Sequence, residues 1–174
     1  MKIKKYGIVL ILLFLFSFYF VSFGPFSSRE LAKHNNGYGT FDMKKYNLET
    51  VQEVLSTMDR EGFDMAGKYY LSDGFFVIML FIVQCQLGAL AVTKRSGLLI
   101  GMNVIAGIRG ALDSIENILL FTSIHSYPKI KGTIVYASSA ITRVKFIMMS
   151  IWILMFVGVL LWRRCAALKT EKAI

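Results

Sequence analysis

The stretch LLIGMNVIAGIRGALDSIENILLFTSI, residues 98–124, is long enough to cross a bilayer, yet Arg109, Asp113 and Glu116 lie inside it. A hydrocarbon core of ~30 Å takes about 20 mainly apolar helical residues, and charges within such a run are rare. Residues 109, 113, 116 and 117 follow i, i+4, i+7 and i+8, so Arg109, Asp113, Glu116 and Asn117 share one helix face. Each ionised side chain costs at least ~2.5–3.5 kcal/mol in lipid, so that face turns toward other protein. A lone anchor has no interior to offer it. The stretch therefore implies a bundle of spanning helices with a charged inside.

Three further runs supply the rest of the bundle. The first covers about 6–23 and is free of charge, the second about 74–92, and the fourth about 135–162 with Arg143 and Lys145 inside it. Descending the fourth span from Tyr136 puts Lys145 roughly 13 Å down and Arg143 about 10 Å down, at 1.5 Å per residue. Climbing the third puts Asp113 and Glu116 roughly 12–17 Å below its outer end. Opposite charges on neighbouring antiparallel helices thus fall at matching depth. Ser138, Thr142 and Lys145 share a face of the fourth span, Asp73 stands at the outer mouth of the second, and Gln84 and Gln86 lie deeper in it. Arg109, Arg143 and Lys145 against Asp113 and Glu116 leave one positive charge, to be balanced by Asp73 or by a bound anion. Gly101, Ala106, Gly107, Gly110, Ala111 and Ser114 allow neighbouring backbones to approach the third span closely.

Composition points the same way. Of 174 residues 55% are hydrophobic and 18% charged, with a mean hydropathy of +0.55. Soluble domains average about 45–50% and about 25%. The formal charge of +9 sits largely at the ends of the apolar runs, in Lys2, Lys4, Lys5, Lys94, Arg95, Arg163 and Arg164. That is the positive-inside pattern and not a nucleic-acid face. Both termini are expected in the cytoplasm of a cell whose plasma membrane holds the protein. The first run is read as a retained anchor; a cleaved signal ending near Ser22-Phe23-Gly24 is the alternative, and either exports the chain beyond it.

The expected fold is all-α: a single membrane domain over 1–174, a four-helix transmembrane bundle with an extracytoplasmic loop at 25–72. Within the loop Leu48, Val51, Leu55 and Met58 recur at helical spacing, which predicts a short amphipathic helix capped by Asn47 and ended by Gly62. Such a helix cannot fold alone and is expected to dock on the span tops or on the membrane. The Gly37-Tyr38-Gly39 sequence lacks the lead-in of a potassium filter and reads as a turn. Two histidines, His34 and His125, without ligand spacing make a poor metal site, and Cys85 and Cys165 are too few for a disulfide framework. No phosphate-loop, metalloprotease, nucleophile-elbow or dinucleotide pattern occurs, so neither cofactor nor metal is expected.

In its order of features the chain resembles a group of small four-span membrane proteins. Their pattern is an anchor, an exported amphipathic helix with a glycine, an Asp heading the second span, Asp-x-x-Glu-Asn in the third and a Lys in the fourth. Gly62, Asp73, Asp113-Ser114-Ile115-Glu116-Asn117 and Lys145 follow it. The group's Arg after the glycine and Tyr three positions later are Phe63 and Ala66 here. The resemblance implies the topology and the same residues, and no reaction.

The candidate intramembrane cluster is therefore Asp73, Arg109, Asp113, Glu116, Asn117, Arg143 and Lys145. Its leading reading is a non-enzymatic site for a membrane lipid or small polar ligand, or the core of a membrane-complex subunit; a structural network of ion pairs is the alternative for the same residues. An enzyme working on a lipid or quinone-like substrate would use Asp113 or Glu116 as general acid or base. An ion-coupled transporter would need the repeat symmetry that this chain lacks, or oligomerisation.

Overall fold

The computed structural model describes residues 2–92 and 97–171. Six helices follow one another: α1 (Lys2–Phe23), α2 (Ser28–Lys33), α3 (Leu48–Ser56), α4 (Arg60–Ala91), α5 (Gly97–His125) and α6 (Gly132–Glu171). Four of them, α1, α4, α5 and α6, are long and apolar enough to cross a membrane. The protein is a multi-pass integral membrane protein. Its surface agrees, because large apolar side chains such as Phe16, Leu154 (71% exposed) and Trp162 (72% exposed) point outward while Asp113, Glu116 and Lys145 are buried. That is the inverse of a soluble domain, and only hydrocarbon makes it favourable.

The helices pack in the order α1 on α4, α4 on α5 and α5 on α6. Phe14 and Phe18 of α1 lie against Phe76 of α4, with ring centroids 5.7 and 6.1 Å apart. Gly107 and Gly110 of α5 leave room for Phe81 and Val77 of α4, so these small residues serve close approach. Deeper in the bundle Met102, Ala106 and Trp152 form a small apolar core. Arg163 of α6 closes the far end of α4, its Nη1 donating to the carbonyls of Leu90 (3.1 Å) and Ala91 (2.9 Å). Among the other basic flanks, Lys94, Arg95 and Lys172 lie outside the described residues.

The segment between α1 and α4 is a folded cap. Leu31, Phe41, Tyr46, Val51, Val54, Leu55 and Met58 from it join Tyr69, Tyr70, Leu120, Ile124 and Val135 of α4, α5 and α6 in one core. The expected loop helix exists as α3: the Asn47 side chain accepts from the Thr50 amide at 2.8 Å, and Val51 and Leu55 are buried. Its end differs from the expectation. The Ser56 and Thr57 hydroxyls donate to the carbonyls of Glu53 and Val54, and Asp59 then starts a new helix by accepting from the Gly62 amide at 2.7 Å. That amide and His34 hold the Asp59 carboxyl below its usual range.

Gly62 is thus a first-turn residue of α4 and not a helix stop. A Cβ there would stand 2.5 Å from Met58 Cγ and 2.7 Å from His34 Cβ, neither of them the free end of a side chain. Gly62→Ala is expected to destabilise the protein by about 1–3 kcal/mol, as overpacking does. A lowered melting temperature in detergent checks it, and an unchanged one contradicts it.

The second span likewise starts far earlier than residue 74, since α4 begins at Arg60 and runs for 32 residues, about 48 Å. Its upper turns hold the cap. The Gly37-Tyr38-Gly39 segment is a turn with positive φ at Asn36, Gly37 and Gly39. The Asn35 side chain clamps it, donating to the Gly39 carbonyl (2.7 Å) and accepting from the Gly39 amide (2.9 Å).

Candidate ligand-binding site

The charged face of α5 meets α4 on one side and α6 on the other. Lys145 donates to Asp113 Oδ1 at 2.7 Å and stands 2.5 Å from Glu116 Oε2, bridging both carboxylates. Thr142 adds a short hydroxyl bond to Glu116 Oε1. Arg109 Nη1 lies 3.3 Å from Asp113 Oδ2, one turn away on the same helix. Across the other interface Asn117 Nδ2 donates to Asp73 Oδ2 at 2.7 Å. Glu116 is completely buried. A charge network this dry is stable only because each carboxylate has a donor, and it holds α4, α5 and α6 in register.

Six of the seven candidate residues come together in this way, and Arg143 does not. It is exposed on α6, with Nε directed 3.4 Å to the Ser139 carbonyl of its own helix. Two residues from Lys145 on a helix means about 200° around it, so the two cannot share a face. Asp73 also lies deeper than expected. It sits 13 residues into α4, level with Asn117, because the helix starts above it.

The cap supplies what the sequence did not mark. Asp42 is buried, with Oδ2 accepting from the Tyr69 hydroxyl at 3.5 Å. Tyr46 reaches down to α6: its hydroxyl bonds Ser138 at 2.7 Å and Thr142 at 3.3 Å, and its carbonyl accepts from Ser139 at 3.1 Å. Burial pushes the Tyr46 phenol up to about 12, so it remains a neutral donor and acceptor at physiological pH. The balance of charge is consequently the reverse of the expectation. Asp42, Asp73, Asp113 and Glu116 gather around Arg109 and Lys145, with Arg143 outside, and the excess is carboxylate.

A cavity of about 410 Å³ opens onto this cluster. Its polar wall is Thr40, Asp42, Asp73, Arg109, Asp113 and Lys145, under the cap. Its apolar walls come from Phe18 and Val21 of α1, Phe76 of α4, and Phe146 and Met149 of α6. Helix α1 lines one side of it and α6 the other, so its apolar part lies between two spans. Two buried groups that line it are incompletely bonded. Among the described residues Arg109 has no partner for Nε or Nη2, and Asp42 has none for Oδ1. His34 and His125 stay apart, the first on Asp59 at 3.0 Å and the second on the Phe121 carbonyl at 2.9 Å.

The chain matches no family model, no curated protein and no solved structure with which it was compared.

Proposed function

We propose that this protein is a non-enzymatic lipid-binding protein of the plasma membrane, with both termini cytoplasmic and the cap outside. A lipid headgroup occupies the cavity, and its chains leave between α1 and α6. The observation that carries the reading is the lining of the cavity: charged under the cap, and apolar where α1 and α6 flank it. Ligand pockets combine apolar walls with a few convergent polar groups, and polar residues at membrane depth are costly unless they serve a site or one another. The basic flanks of the apolar runs support the orientation. Glu116, the most completely buried carboxylate of the cluster, is sealed by Lys145 and Thr142 and does not line the cavity, which favours binding over acid–base chemistry at that group.

Native mass spectrometry of protein released in mild detergent tests the proposal. Wild type is expected to carry one phospholipid. Ser22→Trp, which fills the cavity from the α1 side, is expected to fold and to lose it. Wild type that is bare in every mild detergent overturns the reading.

A further inference from the structure

Resting on that reading, we infer that the headgroup held here is zwitterionic, with a phosphate on Arg109 and a primary ammonium on Asp42. Two observations carry this independently. The first is the orientation of the Arg109 guanidinium. Its Nη1 lies toward Asp113, while Nε and Nη2 are buried without a partner among the described residues, in a side chain that lines the cavity. Nε–H and Nη2–H form the side-on fork of a guanidinium, the pair of donors that fits two oxygens of a phosphate or carboxylate. Buried donors without acceptors are costly, and neither Asp113 nor Asp73 bonds this fork, which leaves it for an anionic oxygen group from outside the protein.

The second observation lies in the cap. Asp42 is 5% exposed and lines the same cavity, and its Oδ1 accepts from no donor among the described residues. No described cation pairs with it, because the Lys145 ammonium is taken by Asp113 and Glu116. Asp73 beside it accepts from Asn117 and makes no ion pair of its own among the described residues, although Arg109 and Lys145 line the same cavity. Asp42 and Asp73 thus line the cavity from the cap and from α4, and an ammonium with N–H donors would complement them. A quaternary ammonium has no such donors. The ligand class that meets both demands and also fits apolar walls between two spans is a phospholipid with an ethanolamine-type headgroup.

The test is competitive native mass spectrometry of the detergent-solubilised full chain with equimolar phosphatidylethanolamine, phosphatidylglycerol and phosphatidylcholine. Wild type is expected to prefer phosphatidylethanolamine by about tenfold, the worth of one charged hydrogen bond. Asp42→Asn is expected to bring phosphatidylethanolamine down to the level of phosphatidylglycerol and to leave the latter unchanged. Arg109→Lys keeps the charge but not the fork, and is expected to weaken all three alike. Equal binding of the three lipids by wild type, or an unaltered preference in Asp42→Asn, overturns the inference while leaving lipid binding intact. Water-soluble glycerophosphoethanolamine that competes as tightly as the lipid also overturns it, since the chains would then contribute nothing. Wild type that takes up no phospholipid defeats the lipid-binding reading itself.

Discussion

Lys145→Met is expected to cost roughly 3–5 kcal/mol of stability, the usual cost of leaving buried charge without its partner. The ammonium lies 2.7 Å from Asp113 and 2.5 Å from Glu116, and the side chains of all three are less than one-tenth exposed. Without it Asp113 retains Arg109, but Glu116 retains only the Thr142 hydroxyl among the described residues. The same substitution combined with Asp113→Asn and Glu116→Gln is expected to recover most of the loss, because neutral groups of the same shape need no counter-charge. Thermal unfolding of wild type, the single variant and the triple variant in one detergent decides the matter. A single variant as stable as wild type would mean that the charges are not what registers α5 on α6.

Phe41→Ala is expected to cost about 3–5 kcal/mol as well, but the loss falls on the cap. Phe41 is 2% exposed and stands between Tyr38 and Tyr46, with ring centroids 5.1 and 5.6 Å away. The stretch between α2 and α3 is irregular, so its order depends on this apolar centre and on the grip of Tyr46 on Ser138 and Ser139. The expected signature is local. Protease sensitivity appears between α2 and α3, while the helical signal of the spans persists, as for a unit that opens below the global transition. Because Asp42 adjoins Phe41 in the chain, the variant is also expected to lose the phospholipid proposed for the cavity. A cap that remains protease-resistant in Phe41→Ala contradicts this picture.

Much of the bundle is legible in the sequence because its two governing rules are strong. An uninterrupted apolar run needs a membrane, and charges at i, i+4, i+7 and i+8 need an interior. Those rules place α5 to within a residue at each end, and they put Lys145 opposite Asp113 and Glu116. They fail where the signal is not hydropathy. Residues 60–73 are too polar to read as a span, yet they are helical because the cap covers them. The stripe Leu48, Val51, Leu55, Met58 suggests one helix through to Gly62, whereas the Ser56 and Thr57 hydroxyls and the capping carboxylate of Asp59 break it in two. Asp59 at the head of a long helix was the available clue.

In the site, Lys145 meets Asp113 and Glu116 at the depth expected of it, whereas Arg143, at nearly the same depth, bonds only to its own helix among the described residues. Matching depth says nothing about which face a side chain takes, and Arg143 is turned away from the face that carries Ser138, Thr142 and Lys145. Asp42 gives no signal in sequence at all. It lies in an irregular stretch, Thr40-Phe41-Asp42-Met43, where no period predicts burial, and only the folded cap brings it over Asp73 and Tyr69. That single residue turns the expected excess of positive charge in the cluster into an excess of carboxylate.

The most direct measurement is a density map of the protein in nanodiscs made from its own membrane lipids. Binding between the spans predicts headgroup density against Arg109 and Asp42, with acyl density leaving between Phe18 and Phe146. A cavity that holds only ordered water, with α1 closed onto α6, would contradict it.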